Sequence, residues 1–214
     1  IILCDGASFT VNGSGSYGIY ATSGNLSIYG QSQDTGTLTV NVANASGKAL
    51  YVDYGNLVVN GGVVNANGGE YGIHIDKGNL TVNGGSINCS DNKGLYVNGD
   101  ALMGSPLLAH HMPQYDIKGL LSVKLTMNSI GIMTYSGVNS LDFTNVSGLS
   151  AYVALSDADG NGNITLTRIY KPADRTGMVL CGEPSTTYVV PTINSNMQDY
   201  QNNRLHHVID AMES

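Results

Sequence analysis

Four segments of this chain can be laid on one another, and that self-similarity restricts its fold more than any other feature. Tyr17-Gly18-Ile19-Tyr20-Ala21-Thr22-Ser23-Gly24-Asn25-Leu26 aligns with Ala49-Leu50-Tyr51-Val52-Asp53-Tyr54-Gly55-Asn56-Leu57 and with Gly72-Ile73-His74-Ile75-Asp76-Lys77-Gly78-Asn79-Leu80. A fourth copy opens at Gly94-Leu95-Tyr96-Val97-Asn98. The steps from Ile19 to Leu50, Ile73 and Leu95 are 31, 23 and 22 residues. Periods of this size belong to solenoids, propellers and arrays, whose single units cannot bury an apolar face alone and must stack.

Inside a unit, apolar residues alternate with period two, break at Gly-Asn, alternate again and break at Gly-Gly. The unit from Gly72 places Ile73 and Ile75, Leu80 and Val82, and Ile87 and Cys89 as inward pairs on three short strands. That is about one turn of a parallel β-helix. A leucine-rich repeat would need a helix or turn-rich return beside each strand and a different Leu frame, which the sequence lacks. The longer first step contains Gln31-Ser32-Gln33-Asp34-Thr35-Gly36, read as a loop bulging from one coil, and such insertions map to one face, often a binding face. Asn25, Asn56 and Asn79 recur after Gly at one turn, where Asn tolerates left-handed backbone and can hydrogen-bond its copy one coil away, a structural ladder first of all.

Composition agrees with strands joined by many turns: 28 of 214 residues are Gly and only 12% are charged. With 9 Lys and Arg and a formal charge of −7, the chain lacks the clustered cations that a nucleic-acid backbone requires, so nucleic acid is not an expected partner. Cys4, Cys89 and Cys181 provide neither a disulfide framework nor a metal spacing and are expected as buried small hydrophobes. No apolar run is long enough to cross a bilayer, so no transmembrane segment is expected. The start at Ile1, without a signal segment, leaves room for a removed export signal or a lipoprotein anchor ahead of it.

With Ile19, Leu50, Ile73 and Leu95 inward, Tyr20, Tyr51, His74 and Tyr96 point outward and stack about 4.8 Å apart along the solenoid axis. Two residues on, Thr22, Asp53, Asp76 and Asn98 form a polar stripe on the same face. Aromatic groups beside carboxylate and amide acceptors suit a sugar chain, so Tyr20, Tyr51, His74, Tyr96, Asp53, Asp76 and Asn98 are the candidate ligand-binding residues. The plainer alternative is that stacked aromatics stabilise neighbouring strands with no ligand. Asp53 and Asp76, on adjacent coils roughly 5 Å apart, superficially resemble a retaining glycosidase pair. A lyase would need carboxylates holding a metal with a basic residue, yet no Arg precedes Arg168 and the nearby cations are Lys48, Lys77 and Lys93. No catalytic residue, metal or cofactor is therefore assigned.

From Asp100 to Leu121 the period disappears, and this stretch reads as a linker or a cap over an exposed sheet edge. His110-His111 are adjacent, so in extended chain they point apart, without a third ligand in register. Strand-rich segments follow at Val123–Tyr135, Gly148–Leu155, Asn163–Tyr170, Gly177–Cys181 and Thr187–Val190, the spacing of a sandwich or barrel. Asp157-Ala158-Asp159-Gly160-Asn161-Gly162-Asn163-Ile164 matches the first half of a calcium loop, but its twelfth position is Arg168 where a bidentate Glu is required. A Gly-rich hairpin turn is the competing reading. Gln198 to Ser214 reads as a polar, partly helical tail.

Three stretches of this half, Leu141-Asp142-Phe143-Thr144-Asn145-Val146-Ser147-Gly148-Leu149-Ser150-Ala151-Tyr152-Val153-Ala154, Ile164-Thr165-Leu166-Thr167-Arg168-Ile169-Tyr170 and Thr176-Gly177-Met178-Val179-Leu180-Cys181-Gly182, carry a resemblance. Over about residues 123 to 193 the chain resembles a C-terminal β module common in surface and secreted proteins of gut anaerobic bacteria. The resemblance implies extracellular display, at the cell surface or outward from an outer membrane, and a cell-adhesion role; it brings no catalytic residues.

The expected fold is therefore all-β: a short right-handed parallel β-helix over 1–100, a linker or cap over 101–122, and a small antiparallel β-sandwich-like module over 123–214. The expected function is a non-catalytic surface protein that binds a glycan or another host or cell-surface ligand. A structural spacer and a β-helix polysaccharide lyase or hydrolase are the alternatives.

Overall fold

A computed structural model describes residues 1–89, 94–104, 115–137, 139–156, 164–193 and 195–205. Every regular element among them is a strand. The chain divides into two compact units, the first spanning Ile1–Gly104 and ending at Leu121, the second starting at Ser122.

The first unit is a solenoid of parallel strands: β1 (Ile2–Leu3), β2 (Ser8–Gly13), β3 (Tyr17–Ala21), β4 (Leu26–Gly30), β5 (Thr37–Val42), β6 (Lys48–Tyr54), β7 (Leu57–Gly68), β8 (Tyr71–Lys77), β9 (Leu80–Cys89), β10 (Leu95–Val97), β11 (Ala101–Gly104) and β12 (Tyr115–Ile117). Three faces result. One stacks β1, β4, the start of β7, the start of β9 and β11, and a second stacks β2, β5 and the later halves of β7 and β9. The third runs β3-β6-β8-β10-β12 and holds five rungs. Ala101–Gly104 and Tyr115–Ile117 lie in the stretch expected as linker or cap, yet both are rungs of the solenoid. Their periodicity is too short to be read in sequence: only three or four residues of each are in strand.

The expected inward column exists. Ile19, Leu50, Ile73 and Leu95 are register partners on successive rungs, and Leu50, Ile73 and Leu95 are fully buried. Ile75, Leu80, Val82, Ile87 and Cys89 are buried with them, each large aliphatic side chain contributing about 1.5–3 kcal/mol relative to exposure. At the terminal rung the same positions lose their cover: Phe9 is paired with the fully buried Leu38 but is itself 52% exposed. Cys89 is the buried cysteine; Cys4 is exposed and Cys181 half-buried, because neither occupies a repeat core position.

Side-chain ladders tie coil to coil. Asn56 donates through its backbone N–H and its Nδ2 to Asn25 Oδ1, both at 3.0 Å, and Asn79 N–H donates to Asn56 Oδ1 at 2.9 Å. Asp100 N–H then donates to Asn79 Oδ1 and Leu120 N–H to Asp100 Oδ1, each at 2.8 Å. The left-handed backbone at this turn lies at the glycine before the Asn, as at Gly24 with φ 86°. Glycine is required there for space as well: a Cβ on Gly55 would stand 2.0 Å from the Gly24 carbonyl oxygen, and one on Gly99 2.2 Å from that of Gly78. Further ladders join Asn12, Asn41 and Asn67, and Thr39, Asn65 and Asn88.

The second unit is antiparallel. β13 (Leu121–Thr126) pairs β18 (Thr187–Pro191), and a four-stranded sheet runs β14 (Ile132–Tyr135), β17 (Met178–Cys181), β15 (Ser150–Ser156), β16 (Ile164–Ile169). The strand expected over Val123–Tyr135 is interrupted by a turn in which Asn128 Oδ1 accepts the N–H groups of Ile130 and Ile132. Tyr188, only 8% exposed, accepts the Glu183 N–H at 2.9 Å and donates to the Gly148 carbonyl at 3.0 Å. The tail over 198–205 is not helical as far as it is described; it is held by Gln198 N–H on the Lys171 carbonyl and Arg204 N–H on the Ala154 carbonyl. The calcium-loop motif at Asp157 to Asn163, His110-His111, Lys93 and residues 206–214 lie outside the described residues.

Candidate functional site on the outer face of the third sheet

Strand alternation turns Tyr20, Tyr51, His74 and Tyr96 outward, and parallel register sets them side by side: Tyr20 opposite Tyr51, Tyr51 opposite His74, His74 opposite Tyr96. Ring centroids are 5.1 Å, 5.1 Å and 4.5 Å apart in that order. Two further rings join them. Tyr17 lies 4.8 Å from both Tyr20 and Tyr51, and Tyr71 lies 4.9 Å from His74 and 5.7 Å from Tyr96.

Period-two reading puts residues three apart on opposite faces, so it misses Tyr17 and Tyr71. Their strands break the alternation: after Tyr17, Gly18-Ile19 are two successive half-buried residues, and after Tyr71, Gly72-Ile73 are two successive buried ones, as are Ala49-Leu50 on the rung between. The turned-in position must be small, since a Cβ on Gly18 would meet Val40 at 2.3 Å and one on Gly72 would meet the Ala66 carbonyl at 2.5 Å. A small residue at this one repeat position, Gly18, Ala49 and Gly72, is the signal that marks the corner. Lys48 is the register partner of both Tyr17 and Tyr71.

The rings use their faces on one another. Tyr51 is within 14° of parallel to Tyr17 and 19° to Tyr20, and His74 within 27° of Tyr96. Inner rings therefore turn edges and hydroxyls to solvent. Ring surface is most available on the terminal rung, where Tyr17 is 39% and Tyr20 44% exposed. Burial in the stack, then the nearby Asp53 and Asp76 carboxylates, pushes the Tyr51 hydroxyl up to about 12.

The acidic stripe follows the aromatic one. Tyr20 donates its hydroxyl to Asp53 Oδ2 at 3.4 Å, and Asp76 Oδ1 stands 3.9 Å from His74 Nε2. Asn98, exposed, follows Asp76 on the next rung, its N–H held by the Ile75 carbonyl. His74 Nδ1 is buried without a hydrogen-bond partner. Burial and then the Lys48 ammonium lower the His74 pKa, against the opposing pull of Asp76 and Glu70, so the ring is held neutral. The described cations beside the stack are engaged: Lys48 with Glu70 at 3.0 Å, Lys118 with Asp116 at 2.7 Å, and Lys77 donating to the Tyr54 hydroxyl at 2.6 Å.

The Gln31–Gly36 insertion lies elsewhere, between the first two faces. Asp5 fastens it by accepting the N–H groups of Gln33 and Thr35, and Gly6 N–H donates to Thr35 Oγ1. Among the described residues no group of three His, Cys, Asp or Glu is placed to hold a metal ion. Among the described residues no helix is long and apolar enough to cross a membrane. Comparison with protein-family models, curated proteins and solved structures finds no match to this chain.

Proposed function

We propose that this chain is a non-catalytic extracellular or cell-surface protein that adheres through the outer face of its solenoid, with a glycan as partner. One observation carries the reading: six aromatic rings and the Asp53 and Asp76 carboxylates share one outer face, repeated coil by coil. Tyrosine hydroxyls and carboxylates alternate donors and acceptors toward solvent, and Tyr17 and Tyr20 add ring surface for the CH-rich face of a sugar. Extracellular display rests on the resemblance of residues 123–193 to a surface-protein module.

The test is retention on a glycan array and on insoluble polysaccharide. Tyr51→Ala removes the ring between Tyr17, Tyr20 and His74 and should weaken retention by about tenfold, the loss of roughly 1.4 kcal/mol. Retention unchanged in this variant would refute the site. A spacer role is the second reading, favoured by the way the rings satisfy one another; it predicts a silent array and a Tyr51→Ala effect on stability alone. A reducing-sugar or unsaturated-product assay tests the enzymatic alternative on Asp53 and Asp76.

A further inference from the structure

Taking the outer face as the glycan site proposed above, we infer that its ligand is an uncharged, extended polysaccharide chain lying along the solenoid axis, one sugar over each coil. Two independent features of the face carry this, its charge arrangement and its spacing.

Among the described residues three lysines stand beside the stack, and Lys48, Lys77 and Lys118 are held by Glu70, the Tyr54 hydroxyl and Asp116. Lys77 also lies 4.2 Å over the Tyr54 ring, which further ties down its ammonium. Among the described residues Asp53 and Asp76 have no lysine at salt-bridge distance, although both carboxylates act on the Lys77 ammonium from farther off; the Tyr20 hydroxyl and the His74 imidazole lie closer to them. A uronate or sulfate group laid on this face would meet two carboxylates and cations already committed, in a chain whose formal charge is −7. Like charges brought into contact select against such a partner. A neutral sugar meets no such penalty: its hydroxyls donate to Asp53 and Asp76 and accept from the tyrosines.

Spacing sets the direction. The outward groups Tyr20, Tyr51, His74 and Tyr96 recur at 5.1 Å, 5.1 Å and 4.5 Å along the axis, the rung separation of a parallel sheet. An extended β-1,4-linked pyranose chain advances by a similar distance per sugar, so successive sugars meet successive coils in phase. A chain laid across the strands' length would cross the face once and meet one aromatic rung. The four aromatic rungs make a site for about four sugars.

Isothermal titration of the full chain with β-1,4-linked gluco- and manno-oligosaccharides of two to six units, and with uronate oligomers of the same lengths, tests this at low and high salt. Affinity for the uncharged series should rise with each sugar up to about four and then level, with little response to salt, and uronates should bind at least about tenfold more weakly. Asp53→Asn combined with Asp76→Asn keeps shape and acceptors, and should narrow the gap between the two series to about threefold. Tighter binding of uronates, or affinity independent of length, overturns the inference while the adhesive reading stands. No binding to either series, with retention on other glycans of the array, also overturns it; a silent array removes the adhesive reading itself.

Discussion

Truncating Asn56 to Ala isolates what the asparagine ladder contributes to the solenoid. The variant loses the Nδ2 donation to Asn25 Oδ1 at 3.0 Å and the Oδ1 that accepts Asn79 N–H at 2.9 Å. The Asn56 backbone N–H keeps its bond to Asn25, so the loss is two hydrogen bonds and one stranded N–H. A net hydrogen bond contributes about 0.5–1.5 kcal/mol, and water reaches this turn, so the expected cost is about 1–2 kcal/mol. With a urea slope of about 2 kcal/mol per molar, the solenoid midpoint should fall by roughly 0.5–1 M. The chain has no Trp, so far-UV circular dichroism is the assay, and the two units can give two transitions of which one should move. Asn79→Ala strands only Asp100 N–H and should cost about half as much. A midpoint for Asn56→Ala no lower than that of a variant at the exposed Ser23, or a larger loss in Asn79→Ala, would refute the ladder as a source of stability.

Other perturbations test other parts of the molecule. Gly55→Ala drives a Cβ to 2.0 Å from the Gly24 carbonyl oxygen and should cost more than Asn56→Ala, whereas Gly6→Ala, with φ 70° and open space, should cost about 1–2 kcal/mol; equal thermal shifts would contradict the packing account. His74 is held below its ordinary 6.5, so its unfolded form binds more protons between the lowered pKa and 6.5; stability should be full above that window and fall as pH drops through it, and His74→Gln should flatten the profile measured by urea denaturation. Tyr188→Phe removes the hydroxyl that joins Glu183 N–H to the Gly148 carbonyl and should destabilise the second unit by about 1–3 kcal/mol, read as a lower melting temperature.

Residue order alone determined the coil. Ile19, Leu50, Ile73 and Leu95 recur in a frame that only stacked strands can bury together, and Asn25, Asn56 and Asn79 mark the turn between faces, because side-chain polarity written along the chain reports directly which groups must leave water. Tyr20, Tyr51, His74 and Tyr96 followed as their outward neighbours. The tertiary structure decided what periodicity does not encode. It brought Tyr17 and Tyr71 onto the same face through the small corner positions Gly18, Ala49 and Gly72. It spent the inner ring faces on one another, placed the left-handed backbone of the turn at Gly24, and carried the solenoid through Ala101–Gly104 and Tyr115–Ile117. Those outcomes depend on distances between coils, which are set by backbone contact and ring thickness across the stack; no pattern within a single coil contains them.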